Sequence, residues 1–196
     1  MIMVSSARPE APTRGAQERI LEAARAEFTA FGLRRSNIDD IARRAGVGRS
    51  TLYRIFPSKE ALWERLAEDD TAQLMKTLTN IATGRSAQDA VIECFTAAIE
   101  SISHNDLLMR MLDSDPEVVF AVSARTPTAV VTSSALVART LRRSGVTMDD
   151  EDLETVAEIM VRLISSLLLT PGGRVDLSDS ASVRRFAQRY LARLVW

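Results

Sequence analysis

The residues best suited to binding a nucleic acid lie together in one short segment. Two arginines, a serine hydroxyl and a phenol occur there within six positions, at Arg49, Ser50, Tyr53 and Arg54. On a helix these side chains would project from neighbouring turns of one surface, because residues three and four apart are neighbours. Guanidinium, hydroxyl and phenol groups bind phosphates and the edges of bases in a DNA major groove. The segment therefore predicts a DNA-binding surface.

Lys59 is a second candidate for binding phosphate, in the first turn of the next predicted helix. A lysine there opposes the helix dipole, so the position is locally unfavourable. A phosphate at this helix terminus would bind the free backbone N–H groups and the ammonium together. The alternative is an ordinary surface lysine.

Two short helices joined by a glycine turn must position these side chains. The first runs from about Asn37 to Ala45 and the second from Arg49 to Phe56, with Gly46-Val47-Gly48 between them. We expect Ser36 to cap the first helix while Asp39 reaches back in a capping box. Apolar residues supply the facing surfaces of the pair: Ile38, Ile41, Ala42, Ala45, Val47, Leu52 and Phe56. This arrangement is typical of a helix-turn-helix unit.

Helical periodicity also marks the chain before this unit. From Arg14 the apolar residues recur at three- and four-residue spacing until Gly32, which we expect to end the helix. The predicted buried face carries Ile20, Ala24, Phe28 and Phe31, and the opposite face carries Arg19, Glu22, Arg25 and Glu27. Residues 1–13 are rich in Pro, Ala and Ser and are predicted to form a flexible arm.

The remainder of the chain is also predicted to be helical, with no convincing strand. Helices are expected at about 58–83, 86–104, 106–113, 116–143, 150–170 and 180–195, with Pro127 kinking or breaking the fourth of these. The predicted fold is therefore all-α, with a three-helix N-terminal head and a larger helical body. We assign residues 14–62 to a helix-turn-helix domain and residues 63–196 to a ligand-binding and dimerisation domain.

Composition excludes several classes of protein. The 196 residues include one cysteine, Cys94, and one histidine, His104, which offer no disulfide framework and no histidine-rich metal cluster. They also offer no evident nucleophile and base pair, so we predict no enzyme, no cofactor and no metal site. The best candidate for a membrane span, Ile159 to Leu169, contains Arg162, Ser165 and Ser166 and is shorter than the roughly 20 residues that span a bilayer. With no signal-peptide pattern at the N-terminus, we expect a cytoplasmic protein.

Charge is unevenly distributed along the chain. Residues 1–66 carry 12 Lys and Arg against 8 Asp and Glu, whereas residues 67–196 carry 13 against 18. A basic head on an acidic body indicates a polyanionic partner for the head alone.

The head resembles the DNA-binding domain of the TetR family of transcriptional regulators over about 50 residues. The matching residues follow one unbroken register: Phe31-Gly32, Ile41-Ala42, Ala45-Gly46-Val47, Ser50-Thr51-Leu52-Tyr53, Phe56 and Lys59-Glu60-Ala61-Leu62. The resemblance implies backbone contacts from Thr51, Tyr53 and Lys59. It also implies a recognition helix that begins at residues 48–50. The predicted DNA-binding set is Ser36, Asn37, Gly48, Arg49, Ser50, Thr51, Tyr53, Arg54 and Lys59.

The last two predicted helices have more apolar surface than they can bury against each other. One is apolar nearly all round, and such a helix must be buried on several sides. A two-fold four-helix interface would bury the excess, and the TetR resemblance implies the same homodimer. The predicted interface is Ile159, Leu163, Leu167, Val183, Phe186, Tyr190 and Leu194. The alternative is that both helices bury their apolar faces within one chain.

A small-molecule cavity in the body is also implied by the resemblance. Methionine and aromatic side chains can line an adaptable apolar pocket. The predicted lining residues are Phe95, Ile99, His104, Met109, Met111 and Phe120. The alternatives are ordinary core packing for the apolar residues and an exposed helix end for His104.

These features together predict a sequence-specific, dimeric DNA-binding regulator. The resemblance further implies a repressor that is released from a palindromic operator by a small apolar ligand. Its partners would be double-stranded operator DNA, a second copy of the chain and a small-molecule effector, with no membrane. The alternative is a helical protein-interaction adaptor without specific DNA readout. The regulator predicts a steep salt dependence of DNA affinity, whereas the adaptor does not.

Overall fold

Every regular element in the computed structural model is helical, over the residues that it describes: 14–119, 127–170 and 172–196. This confirms the predicted all-α fold. The predicted N-terminal arm, residues 1–13, lies outside the described residues. Within the described ranges no helix is long and apolar enough to cross a membrane.

Nine α-helices are described with both ends. They are α1 (Arg14–Arg35), α2 (Ile38–Ala45), α3 (Arg49–Ile55), α4 (Lys59–Ala82), α5 (Ala87–Ser103), α6 (Asp106–Ser114), α7 (Pro127–Arg143), α8 (Asp150–Leu169) and α9 (Ser180–Phe186). Residues 116–119 are also helical, while 120–126 fall outside the described ranges, and α7 begins at Pro127. The chain divides into two compact units, the first ending at Leu66 and the second beginning at Ala67.

Helix α1 buries one apolar face in the first unit. Ile20, Ala24 and Phe28 are fully buried, as the three- and four-residue spacing predicts. Gly32 interrupts the helical conformation with φ 74° and ψ 174°, a backbone geometry that favours glycine. The prediction for Phe31 is wrong: its side chain is 47% exposed, because it lies at the end of the helical stripe, where α1 breaks.

Helix α2 begins with Asn37 as its N-cap. The Asn37 side chain accepts a hydrogen bond from the Asp39 N–H at 2.9 Å, which satisfies one of the free donors of the first turn. The predicted capping box at Ser36 is therefore wrong. The Ser36 hydroxyl instead donates to the carbonyl of Leu33, in the last turn of α1, at 2.5 Å.

Helices α2 and α3 are separated by the turn at Gly46. This glycine has φ 65°, in the left-handed region, and the N–H groups of Gly46 and Val47 donate to carbonyls of the last turn of α2. After the turn, α3 directs Leu52 inward, where it is fully buried. Burial of Leu52 fixes which side of this seven-residue helix faces solvent.

Helix α5 lies at the centre of the second unit. It packs against α6, α7, α8 and α9. Its buried face carries Ala90, Val91, Phe95 and Ile99, which join one apolar core with residues of α7 and α8 such as Leu141 and Ala157. Of the residues predicted to line a cavity in the body, Phe95 and Ile99 belong to this core.

The C-terminal helix changes its winding along its length. After α9 the chain forms one π-helical turn, Ala187–Leu191, and then a 3-10 turn, Ala192–Leu194. The buried residues Val183, Ala187, Leu191 and Val195 are spaced by four. Four residues overshoot a full α-helical turn by about 40°, and the wider π turn compensates for this drift. The residues predicted as an interface on this helix therefore differ in exposure: Val183 is buried, whereas Tyr190 is exposed.

Candidate DNA-binding site

The solvent-facing side of α3 carries the polar side chains that the sequence singles out. Because Leu52 is buried, Arg49, Ser50 and Arg54 face solvent, and Tyr53 is 39% exposed. Tyr53 is thus not a core aromatic residue. The structure brings these four side chains to one surface, as the helical spacing predicts.

Arg49 is held on two sides by its neighbours. Its Nη1 lies 3.1 and 3.2 Å from the two carboxylate oxygens of Asp39, which is in the first turn of α2. Its guanidinium carbon lies 5.6 Å from the centre of the Tyr53 ring, within cation–π distance. The pair is exposed, so its net contribution to stability is small. The contacts nevertheless restrict the directions in which Arg49 can donate.

The ammonium of Lys59 is bound by backbone carbonyls at the end of α1. Its Nζ donates to the carbonyl oxygens of Leu33 at 2.7 Å, Arg34 at 3.0 Å and Ser36 at 3.2 Å. The three hydrogen bonds offset the unfavourable interaction of the Lys59 charge with the dipole of α4. These bonds account for the position of Lys59 without a phosphate, and its contact with DNA stays a prediction.

Glu27 is a supporting residue that sequence reasoning missed. It was expected on the exposed face of α1, but it is only 2% exposed. Its Oε1 accepts the Asn37 N–H at 3.3 Å, and its Oε2 lies 4.0 Å from Nη2 of Arg44. A signal was present in its position, because Glu27 follows Ile20 by seven residues and so falls on the buried stripe. Glu27 ties α1 to the start of α2.

Arg19 makes a second tie between the same two helices. Its Nε donates to the carbonyl of Ala45 at 2.9 Å, at the C-terminal end of α2. A cation at this end also complements the helix dipole. Together with Glu27, it anchors α2 to α1 at both ends, and α2 in turn contacts α3. The exposed surface of α3 is therefore supported by a helix, α2, that is fixed to α1 at both ends.

The other predicted DNA-binding residues differ in their exposure. Gly48 and Asn37 face solvent and Thr51 is half-buried. Asn37 uses its carbonyl oxygen as the cap of α2, which leaves its amide group on the exposed surface. Ser36 is only 8% exposed and its hydroxyl is already bonded, so it is poorly placed to reach DNA.

Comparison with known families identifies the head. Residues 20–66 match the family model described as bacterial regulatory proteins, tetR family. An uncharacterised HTH-type transcriptional regulator of Mycobacterium tuberculosis is 28% identical over 184 residues, covering 92% of this chain and 93% of that protein. Residues 20–66 therefore form a DNA-binding domain of the TetR type. The matches support a DNA-binding transcriptional regulator, and the matched family is one of regulators rather than enzymes.

Solved structures of TetR-family proteins share the fold over most of its length. The AlkX repressor of a Dietzia strain, implicated in biodegradation of n-alkanes, superposes with a TM-score of 0.69 at 17% identity, covering 90% of this chain and 95% of that one. A TetR regulator of Rhodococcus sp. is 29% identical with a TM-score of 0.57, covering 91% and 95%. The likeness to AlkX concerns the fold alone.

The residues predicted for a TetR-type dimer interface fall into three groups. Ile159 and Tyr190 are 47% and 53% exposed, and Leu163, Leu167, Phe186 and Leu194 are half-buried. Val183 is 1% exposed and belongs to the core of its own chain. We therefore remove Val183 from the predicted interface, because a side chain that its own chain buries cannot be buried by a partner.

The residues predicted to line a ligand cavity do not come together at one site. Phe95, Ile99 and Met111 are buried in the second unit, Met109 is 39% exposed, and Phe120 lies outside the described residues. His104 is exposed at the end of α5, where its Nδ1 lies 2.8 Å from the Glu100 carbonyl oxygen. A cavity of about 250 Å³ is lined by Ile99 and His104 together with Thr96, Glu100, Ser103, Leu177, Ser178, Ser180 and Val183. Its lining combines apolar and polar side chains.

Proposed function

We propose that this protein is a sequence-specific repressor of the TetR family that binds a palindromic operator as a homodimer and is released by a small molecule. The observation that carries the proposal is the surface of α3. There Arg49, Tyr53 and Arg54 face solvent from a helix whose opposite side is fixed by buried Leu52. A DNA-binding regulator acts where the DNA is, so the proposal includes a cytoplasmic location.

In this proposal the residues of α3 divide into readers and anchors. Arg49, Ser50 and Arg54 contact base edges in the major groove, where arginine recognises guanine through two parallel hydrogen bonds. Thr51 and Tyr53 contact the phosphate backbone and fix the orientation of the helix. Gly48 and Asn37 lie at the exposed starts of α3 and α2 and contribute further backbone contacts.

The dimer is proposed on the exposed apolar side chains of α8 and the C-terminal helix. Ile159 and Tyr190 are large apolar residues that the chain itself leaves exposed, and half-buried Leu163, Leu167, Phe186 and Leu194 belong to the same two helices. A second copy would bury these residues in an isologous interface. Two heads in one dimer would then read two half-sites about one helical turn or a multiple of it apart.

The effector is proposed to bind the second unit and to favour a conformation in which the dimer no longer fits its operator. Ile99 and His104 supply the cavity described above with one apolar and one polar group from the predicted set. The polar side chains of this mixed lining extend the predicted ligand class, because Glu100 and the serine hydroxyls would pair with polar groups of a ligand.

Selection of random duplex DNA by the purified protein tests DNA recognition. We expect enrichment of a palindromic site by wild type, and its loss with Arg49→Ala and with Tyr53→Ala. Glu154→Ala, which replaces an exposed residue of α8 outside the predicted interface, is the matched control. If no site is enriched at low salt and the α3 variants behave like wild type, the chain is a protein-interaction adaptor rather than a DNA reader.

The selected duplex then tests the remaining parts of the proposal. Sedimentation of the complex should give two chains per palindrome, whereas one chain per site would contradict the dimer. Release of the labelled duplex, screened against a library of small polar and apolar metabolites, tests the effector. If compounds that bind the second unit leave operator affinity unchanged, ligand release is contradicted.

A further inference from the structure

We infer that Asp39, a residue of α2, determines base specificity by orienting Arg49. The inference deepens the proposed function and rests on it, since it requires Arg49 to read a base. The carboxylate of Asp39 takes no part in the cap of α2, because Asp39 donates the cap bond from its backbone N–H. Its two carboxylate oxygens both lie on Nη1 of Arg49.

The geometry of the guanidinium decides what this contact leaves available. Arginine has five N–H donors in a rigid plane. The Nε–H and one Nη2–H point in the same direction, along an edge that does not include Nη1. Asp39 binds only Nη1, and among the described residues neither Nε nor Nη2 of Arg49 has a hydrogen-bond partner. The free edge is the bidentate edge that matches O6 and N7 of guanine.

Tyr53 restricts rotation of the Arg49 guanidinium plane. Its ring lies 5.6 Å from the guanidinium carbon, so the aromatic face limits rotation of the plane while the carboxylate holds one corner. An arginine held in this way reaches DNA with its reading edge already oriented. Less side-chain entropy is then lost when the hydrogen bonds to the base form.

The charge of Asp39 adds discrimination against phosphate. A free arginine binds any phosphate of the DNA backbone, which strengthens binding to every sequence equally. A carboxylate beside Arg49 weakens such contacts by repelling the phosphate, whereas guanine O6 and N7 are neutral acceptors. The Asp39 carboxylate therefore lowers affinity for random DNA more than affinity for the operator, and the ratio of operator to random affinity rises.

Asp40 supplies a matched control in the same helical turn. It also has a negative charge in the first turn of α2, but its carboxylate pairs with Arg43 at 2.5 Å rather than with α3. Asp39→Asn and Asp40→Asn remove the same charge from the same helix terminus. Any effect on the helix dipole or on overall attraction to DNA should be similar in the two variants.

The experiment compares selection from random duplex DNA, and then operator and random-duplex affinities, for wild type, Asp39→Asn, Asp40→Asn and Arg49→Ala. We expect Asp39→Asn to lower the ratio of operator to random affinity about tenfold, equivalent to about 1.4 kcal/mol. It should lose the guanine preference at the same base pair of each half-site as Arg49→Ala. Asp40→Asn should keep both the ratio within about twofold and the preference.

Three outcomes overturn the inference. A wild type that enriches no site overturns the proposed function and this inference together. A wild-type site that Asp39→Asn reads with an unchanged ratio overturns this inference alone. A change of affinity that is the same for every DNA sequence, and equal in Asp39→Asn and Asp40→Asn, shows that the carboxylate acts only through the charge or the stability of α2.

Discussion

Replacement of Lys59 by methionine separates the two roles that its position allows. The ammonium donates to three carbonyls at the end of α1, at 2.7, 3.0 and 3.2 Å. Methionine keeps an unbranched apolar stem of similar length but has no donor, so all three bonds are lost. Hydrogen bonds to charged groups contribute about 1.5–3 kcal/mol each when they are well shielded. This cluster is only partly buried, and we expect a loss of about 2 kcal/mol for the three together.

Tryptophan fluorescence during urea unfolding measures this loss in the first unit. Trp63 is buried in the first unit, whereas Trp196 is exposed in the second, so Trp196→Phe gives a background in which the signal comes from Trp63. With a slope of about 2 kcal/mol per molar urea, the Lys59→Met midpoint should fall by roughly 1 M. The control is Lys76→Met, which removes the exposed charge of the only other lysine.

The two results for Lys59 have opposite consequences. A midpoint that falls as expected supports the lysine as a cap of α1. A midpoint within about 0.2 M of the background protein, combined with a large loss of DNA affinity, would refute this reasoning. The ammonium would then act mainly on a phosphate.

Three further predictions concern other parts of the chain. Glu27→Ala should lower the free energy of unfolding by about 1–3 kcal/mol, since the partly buried hydrogen bond from the Asn37 N–H loses its acceptor; Glu27→Gln should cost less in the same urea assay, and equal effects would contradict the hydrogen bond. Ile159→Glu should weaken the dimer more than about 100-fold in sedimentation, while Trp196→Glu, at an exposed apolar residue outside the predicted interface, should leave it unchanged; no change with Ile159→Glu would contradict the interface. Burial raises the pKa of the Cys94 thiol to about 11, so at pH 8 iodoacetamide should alkylate the folded chain about 100-fold more slowly than the unfolded chain. Rates within tenfold of each other would contradict that environment.

The local parts of the fold are predictable from the sequence because their causes are local. The buried set of α1 and the left-handed turn at Gly46 each depend on residues within one or two helical turns. Periodicity and the conformational freedom of glycine are sufficient to predict them. The outward face of α3 follows from the same reasoning, once Leu52 is placed inside.

The contacts that were missed join residues distant in the chain. The carbonyls that bind Lys59 belong to residues 23 to 26 positions earlier, and Arg19 donates to Ala45 across a similar separation. No local pattern encodes such pairs. The charge of Glu27 predicts an exposed side chain, whereas its seven-residue spacing from Ile20 predicts a buried one, and the structure follows the spacing. The π turn at Ala187–Leu191 also depends on packing, since an unbroken α-helix is the simpler prediction for that segment.

Hydrogen exchange of the full chain, with and without the selected duplex, tests most directly whether α3 reads DNA. We expect bound DNA to slow amide exchange in peptides that cover the Gly46 turn and α3, because DNA would cover these exposed residues. Peptides of the central helix α5 should be unchanged, since it lies in the second unit. Protection confined to the second unit, with none in α3, would contradict the account.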